Sequence, residues 1–171
     1  MTTLIEQELS FTFPATWNAE LFDVPGKPTI DHLKPVDFVV ELPGRTLFIE
    51  VKDPSATKAT ENERKKFLKR MKTDELTHKH LVPKARTSWA FLALMKRVQN
   101  PITYIVVIGA ESLKIEPLLW SNLTARLKQR LTQEIDVPWP LQYIDQCIVV
   151  PAADLSRHLT AVTVQRVVPV T

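Results

Sequence analysis

Two carboxylates and one ammonium group stand out in this chain, because a single β-hairpin would bring them together. Asp37 precedes the turn-forming pair Pro43-Gly44, and Glu50 and Lys52 follow it in a second apolar segment. Two carboxylates on one patch of sheet can share a divalent cation, and a lysine beside them can act on water or on developing negative charge. These residue types in this spacing favour metal-assisted cleavage of a phosphodiester.

The geometry of the hairpin follows from the alternation of side chains along a strand. If Pro43-Gly44 forms the tip of the turn, Leu42 pairs with Arg45 and Asp37 faces Glu50. Directly opposed residues have Cβ atoms roughly 4.5–5.5 Å apart, close enough for their carboxylates to hold one cation. L-proline does not suit the primed turns of tight hairpins, so a bulge or a longer loop is an alternative. A slip of one residue would turn Glu50 away from Asp37.

The competing interpretation is an ordinary exposed strand, with Glu50 and Lys52 towards solvent and Asp37 near an edge. Burying two acids and a lysine on an apolar hairpin is costly without a cation, because like charges repel and each group loses its hydration. The aspartate at hairpin distance, the preceding Pro35 and the apolar run 47–49 favour the functional interpretation.

The segment 35–52 resembles the signature of the PD-(D/E)XK nuclease superfamily, which has the restriction-endonuclease-like fold. The motif residues are Pro35-Val36-Asp37 and Glu50-Val51-Lys52, and Val36 spreads the proline and aspartate of the signature over three positions. The flanking elements fit the α-β-β-β-α-β core of that family more loosely. The resemblance implies an α/β fold, a restriction-endonuclease-like α/β/α sandwich around a mixed central β-sheet. It would form a single domain over residues 1–171.

The resemblance also implies roles for the hairpin residues. Asp37 and Glu50 would ligate Mg²⁺, for which Mn²⁺ can substitute, and the backbone carbonyl of Val51 would add a ligand. Lys52 would either stabilise the transition-state phosphate or help to deprotonate the attacking water.

Four further acids are weighed beside this set. Nucleases of this type often take an acid from an N-terminal helix, and a helix is predicted over residues 2–9. Glu6 is the first candidate for this accessory acid and Glu20 the second, although each fits an ordinary surface position. Glu41 is expected at the rim near the turn, and Asp53 at the start of a loop.

Positive charge is concentrated just downstream of the hairpin. Residues 58–86 carry ten basic and four acidic side chains, a net charge of +6, whereas the rest of the chain has a net charge of −3. Beside such a hairpin, a basic segment predicts contact with a phosphate backbone. The alternative is a solvated helix face, on which Glu61 and Lys65 pair at i,i+4 spacing. The predicted nucleic-acid-binding residues are Lys58, Arg64, Lys65, Lys66, Lys69, Arg70 and Lys72.

Composition excludes several classes of protein. The chain of 171 residues is 44% apolar and 24% charged, which is typical of a globular protein. The single cysteine, Cys147, lies in an apolar run and is expected in the core of a cytoplasmic protein. No apolar run reaches 18 residues, so no membrane span is expected. Three widely spaced glycines disfavour a phosphate-binding loop. His78 and His80 are weak evidence for a metal site, and contact with phosphate or solvent is the favoured interpretation.

Periodicity predicts the remaining elements. Residues 14–35 read as a loop with a possible helical turn at 19–22. Helices are predicted over 60–73, 86–99, 117–131 and 153–159, and extended segments over 9–13, 102–109, 146–150 and 161–168.

The expected function is that of a Mg²⁺-dependent nuclease that hydrolyses phosphodiester bonds, most readily in DNA. One alternative is a catalytically inactive nucleic-acid-binding or assembly subunit with the same fold. A weaker alternative is a protein-interaction module whose basic helix docks an acidic partner. The chain has no room for a separate specificity domain, so a homodimer or a partner protein is expected to direct sequence choice.

Overall fold

The architecture is that of two β-sheets with helices packed on one of them. The computed structural model describes residues 1–24, 34–133 and 137–167. The strands of this described part are β1 (Thr2–Glu6), β2 (Leu9–Phe13), β3 (Asn18–Leu21), β4 (Phe38–Leu42), β5 (Arg45–Lys52), β6 (Ile102–Ile108), β7 (Gln146–Pro151) and β8 (Thr163–Arg166). The helices are α1 (Glu61–Lys72), α2 (Val82–Leu94), α3 (Pro117–Thr132) and α4 (Leu155–His158). A π-helical turn (Leu76–Leu81) precedes α2, and a 3₁₀ turn (Ala152–Asp154) precedes α4.

The larger sheet is mixed and has the strand order β3-β4-β5-β6-β7. Strands β3, β4 and β5 are antiparallel neighbours, whereas β5, β6 and β7 run parallel. The smaller sheet is antiparallel and has the order β1-β2-β8. The predicted mixed α/β class is therefore confirmed.

The two faces of the larger sheet are covered differently. Helices α1, α2 and α3 and the π-helical turn pack on one face, where Phe48, Tyr104 and Leu127 share a buried cluster. The small sheet and α4 pack on the other face, where Phe11 and Phe38 lie in a second buried cluster with their ring centroids 5.1 Å apart. A three-stranded sheet thus contributes to the layer that the predicted α/β/α sandwich would fill with helices.

The β4–β5 hairpin has the predicted register. Leu42 pairs with Arg45 next to the turn, and Phe38 pairs with Ile49 at the other end of the ladder. The paired residues therefore stop one position short of Asp37. Gly44 has a φ of 73°, and a proline followed by a residue of positive φ is the pattern of a type II turn, so no bulge is needed. The predicted alternation is also confirmed, because Phe48 faces the helices and Ile49 faces the small sheet.

The predictions for the N-terminal part were wrong in two places. Residues 2–9 form no helix, because Thr2–Glu6 is a strand that pairs with β2 after a turn at Gln7, whose φ is 54°. Residues 19–22 lie mostly within β3, which pairs with β4. In both cases cross-strand pairing outweighs weak local helix propensity. Within the predicted loop 14–35, residues 25–33 lie outside the described residues.

The second predicted helix begins earlier than expected, at Val82 rather than at residue 86, and ends at Leu94 rather than at 99. Pro83 lies in its first turn, where the missing N–H costs nothing. The stretch before it is also helical, since the N–H of Val82 donates to the carbonyl of Thr77 in the wide π pattern. Lys96, with a φ of 57°, follows the end of the helix.

The other predicted elements are confirmed within a few residues. These are α1, α3, β2, β6, β7, the turn of helix near residue 155 and the extended segment that contains β8. Among the described residues, no helix combines the length and apolar character that crossing a bilayer requires.

Candidate functional site

The candidate site is built on the end of the β4–β5 hairpin, on the face that the helices cover. Asp37 immediately precedes β4 and Glu50 lies in β5, and their exposed fractions are 5% and 0%. The N–H of Val51 donates to Oδ2 of Asp37 over 2.6 Å. The N–H of Val36 donates to Oγ of Ser88 over 2.8 Å, which ties the segment before β4 to α2. Backbone contacts therefore fix the orientation of Asp37.

A lysine that the sequence did not single out lies between the two acids. Nζ of Lys84, in the first turns of α2, is 2.9 Å from Oε1 of Glu50 and 3.2 Å from Oδ1 of Asp37. It also lies 3.7 Å from Oδ2 of Asp23. The sequence carries no motif for this lysine, which was counted only within the basic segment, because its position depends on where α2 begins and on how α2 crosses the hairpin.

Lys52 completes the cluster. Its Nζ lies 2.5 Å from Oε1 of Glu50, so this one oxygen contacts the ammonium groups of both Lys52 and Lys84. Oε2 of Glu50 is buried and has no hydrogen-bond partner among the described residues. The structure therefore brings together the predicted Asp37, Glu50 and Lys52, and leaves one carboxylate oxygen unsatisfied.

Burial and charge act against each other in this cluster. Burial raises the pKa of Glu50 to about 7, with Asp37 adding to the rise, while Lys52 and Lys84 oppose it. Burial lowers the pKa of Lys84, but Glu50 and Asp37 outweigh that effect and raise the pKa well above its ordinary value. Lys84 therefore stays protonated. Any further positive charge beside Glu50 would stabilise its ionised form.

Glu6, the predicted accessory acid, lies within electrostatic range of this cluster. Burial raises the pKa of Glu6, and the negative charge of Asp37 is the second cause, while Lys84 opposes the rise. Glu6 is the last residue of β1. The acid therefore comes from the small sheet, and the expectation that it lies on an N-terminal helix was wrong.

The donor set fits a hydrated Mg²⁺ or Mn²⁺ ion. Among the described residues no three His, Cys, Asp or Glu side chains are grouped as ligands of one ion. Asp37 and Glu50 nevertheless supply two carboxylates, and Mg²⁺ is typically held by one or two carboxylates together with several waters. The unsatisfied Oε2 of Glu50 is a buried acceptor that a cation or its water would satisfy.

A groove of about 570 Å³ opens beside Lys52, between the loop that follows β5 and helix α1. Because one water takes up about 30 Å³ of the liquid, this space is large enough to admit a phosphate group. The basic side chains that line it are Lys52, Lys58, Lys66 and Arg70, and the acidic ones are Asp53 and Glu63. We call this the basic groove.

The seven basic residues predicted to bind nucleic acid divide into two groups. Lys58, Lys66 and Arg70 line the basic groove. The other four do not line it. Within this second group Arg64 donates from Nε to the carbonyl of Pro54 over 3.2 Å, and Lys65 pairs with Glu61 at 3.6 Å.

Both acids of the groove are engaged by neighbouring groups. Asp53 accepts hydrogen bonds from Arg166 over 2.8 and 2.9 Å, and it begins the loop after β5, as predicted, in a buried position. Glu63 caps α1 through Thr60, whose hydrogen bonds lower its pKa. Glu63 nevertheless keeps its negative charge, and Arg70 pairs with Glu75 at 3.5 Å. The four basic side chains outnumber the two acidic ones that line the groove.

Other candidates lie outside the cluster. Glu20 and Glu41 both pair with Arg97, at 2.6 and 3.0 Å, towards the turn end of the hairpin, so Glu41 lies at the expected rim. His80 lies on the π-helical turn, where burial lowers its pKa and the charges of Arg70 and Lys52 add to the effect. His80 is therefore close to the basic groove. Cys147 is partly buried and packs against the core.

Comparisons of the chain with protein-family models, with curated proteins and with solved structures gave no match in any of the three. The resemblance of segment 35–52 to the PD-(D/E)XK signature therefore stays a prediction. What can be argued about function comes from the geometry of the cluster and of the basic groove.

Proposed function

We propose that the chain is a Mg²⁺-dependent nuclease of the PD-(D/E)XK type that hydrolyses phosphodiester bonds, with DNA as the favoured substrate. One observation carries the proposal. The buried carboxylates of Asp37 and Glu50 lie within hydrogen-bonding distance of the same ammonium group, with Lys52 on Glu50 and the basic groove beside them.

In the proposed reaction a water oxygen bonds to phosphorus, and the bond from phosphorus to the leaving oxygen breaks. Asp37 and Glu50 would hold the Mg²⁺, with the carbonyl of Val51 as the further ligand that the resemblance implies. When bound, the ion polarises the phosphate and lowers the pKa of its water. Lys52, 24% exposed and next to the groove, can either take part in removing the proton from that water or neutralise charge on the phosphate.

The fold is compatible with this proposal. The mixed sheet contains the β4–β5 hairpin and the parallel strands β5, β6 and β7, and helices α1 and α3 belong to the layer on one of its faces. That arrangement and segment 35–52 support the proposal of a restriction-endonuclease-like domain, from which the small sheet on the other face departs.

Lys58, Lys66 and Arg70 would contact the phosphates of the substrate on either side of the scissile bond. Phosphate contacts from lysine and arginine supply affinity without selecting a base sequence. A homodimer or a partner protein would therefore add whatever sequence choice the activity has.

Incubation of the protein with plasmid DNA, single-stranded DNA and RNA, with Mg²⁺, Mn²⁺ or a chelator, tests the proposal. Wild type should cleave only with metal, and Asp37→Asn, Glu50→Gln and Lys52→Met should each lose at least about 100-fold in rate. Glu41→Gln and Lys128→Met, which change the same residue types away from the cluster, should cleave like wild type. Equal metal-dependent cleavage by wild type and the three site variants would refute the proposal.

A second function is supported by Lys84. Its ammonium group already neutralises part of the charge of Asp37 and Glu50, so the cluster is not left without a cation when metal is absent. A catalytically inactive nucleic-acid-binding or assembly subunit could keep such a cluster as a structural ion pair. Salt-dependent nucleic-acid binding with no Mn²⁺ binding and no cleavage would favour this alternative.

A further inference from the structure

The position of Lys84 bears on how the cluster could accept a metal. The Lys84 ammonium nitrogen lies 2.9 Å from one buried carboxylate oxygen and 3.2 Å from another, on Glu50 and Asp37. A divalent ion that bridges these two residues through the oxygens facing Lys84, Oε1 of Glu50 and Oδ1 of Asp37, needs the same space and the same negative charge. Because the two cations repel each other strongly at such short range, they cannot both occupy it.

We infer that Lys84 is a tethered competitor of the metal, which must withdraw from between Asp37 and Glu50 before a divalent cation can bind there. This inference rests on the proposed function, since it concerns the metal site of that reaction. Lys52 contacts Glu50 on the same oxygen, but Lys84 contacts both acids, so the inference assigns the control of metal affinity to Lys84.

The structure also provides a place for the displaced ammonium group. Asp23 is 38% exposed and lies 3.7 Å from Nζ of Lys84, while the side chains of Asp37 and Glu50 are 7% and 0% exposed. Asp23 is therefore the outermost of the three acids. The flexible stem of lysine allows its nitrogen to move towards Asp23 while its backbone stays in α2.

Calorimetric titration of Mn²⁺ into the metal-free full chain tests this inference without a substrate. Lys84→Met should bind Mn²⁺ roughly tenfold more tightly than wild type or better, which is within the usual range of coupling between two binding events. Lys84→Arg keeps the cation and should stay near wild type. Lys79→Met, on the exposed surface of the neighbouring π-helical turn, serves as the matched control.

Thermal unfolding with and without Mn²⁺ keeps the test informative if Lys84→Met is less stable. The variant leaves Asp37 without its ammonium partner and Glu50 with only that of Lys52, so its Tm should fall in chelator and should rise with Mn²⁺ by more than that of wild type. Equal or weaker Mn²⁺ binding by Lys84→Met, together with no larger rise in Tm, would overturn the inference.

A double-mutant cycle tests the route towards Asp23. Asp23→Asn should weaken Mn²⁺ binding when Lys84 is present, because the displaced ammonium group loses its acceptor, and should have no effect in the Lys84→Met background. A loss of affinity in both backgrounds would identify Asp23 as a ligand and refute this route.

The outcomes also separate this inference from the proposed function. If Lys84→Met binds Mn²⁺ more tightly than wild type and neither protein cleaves nucleic acid, the proposed hydrolysis fails and the role of Lys84 stands. If wild type cleaves with metal and Lys84→Met binds Mn²⁺ no better, the hydrolysis stands and the inference fails.

Discussion

The backbone N–H of Val51 donates to Oδ2 of Asp37 over 2.6 Å, in a buried position. Val51 lies beyond the last residue pair of the β4–β5 ladder, Phe38 with Ile49, so the side chain of Asp37 takes the place of a strand partner. This contact holds Asp37, one of the proposed metal ligands, against Val51, which lies between Glu50 and Lys52 in the sequence. Hydrogen bonds to a charged acceptor are among the stronger ones in proteins.

Replacement of Asp37 should therefore affect stability as well as activity. Asp37→Ala leaves the N–H of Val51 buried without a partner, and we expect a loss of about 1–3 kcal/mol in the free energy of unfolding. Asp37→Asn keeps an oxygen acceptor and should lose less, while abolishing metal-dependent cleavage. Urea denaturation measures both variants, with Asp154→Ala, from an exposed pair with Arg157, as the control. Equal stability of Asp37→Ala and wild type would contradict this account of the contact.

Glu50 should make the metal-free protein less stable as pH rises. Its pKa is about 7 in the folded protein against an ordinary value of 4.5, so the folded state binds the proton more tightly than the unfolded chain does. The stabilising contribution is complete below pH 4.5 and is lost as the pH rises to about 7, and its size is of the order of a few kcal/mol.

The variant Glu50→Gln isolates this contribution. His80, whose pKa is lowered, changes stability in the opposite direction, so the comparison is the difference between variant and wild type at each pH. Relative to wild type, Glu50→Gln should gain stability between pH 5 and pH 8 in chelator, as measured by urea denaturation. A difference that stays constant over this range would refute the prediction.

The hairpin could be predicted from the sequence because its signals are local. Pro43-Gly44 marks the turn, and the alternation of polar and apolar residues fixes which side chains share a face. Lys84 could not be predicted in this way, because it meets Asp37 across 47 positions of the chain. Its place depends on the packing of α2 against the sheet and on where α2 begins after the π-helical turn.

The structure of the N-terminal segment also depends on contacts between distant parts of the chain. Residues 2–9 were predicted to be helical, yet β1 pairs with β2, and β2 pairs in turn with β8 at the far end of the chain. That pairing carries Glu6 into range of Asp37. The role of Glu6 as an accessory acid stays a prediction, and the prediction that a helix carries it was wrong.

The basic groove predicts a difference between lysines of the same helical region. Lys58→Ala with Lys66→Ala removes two groove-lining charges, so nucleic-acid affinity in chelator should fall and the salt dependence of binding should decrease by about two counterions. Lys65→Ala with Lys69→Ala removes the same charge from positions outside the groove and should weaken binding less. Fluorescence anisotropy with a labelled DNA at several salt concentrations measures both, and equal losses would refute a specific role for the groove.

Gly109 should not tolerate a side chain, because Asp53 occupies the space next to it. A Cβ at Gly109 would overlap with Oδ1 of Asp53, whose carboxylate is buried and held by two hydrogen bonds from Arg166. The N–H of Gly109 also donates to the carbonyl of Lys52 over 2.8 Å, so the backbone has little freedom to move away. We expect Gly109→Ala to lose about 1–3 kcal/mol in the free energy of unfolding, as overpacked substitutions do.

The double variant Gly109→Ala with Asp53→Ala distinguishes this clash from a general effect of the new methyl group. Removing the Asp53 carboxylate makes room for the Cβ, so the loss in the double variant should be smaller than the sum of the two single losses. Urea denaturation of the four proteins gives the coupling energy directly. Additive losses would mean that Asp53 is not the obstacle to a side chain at Gly109.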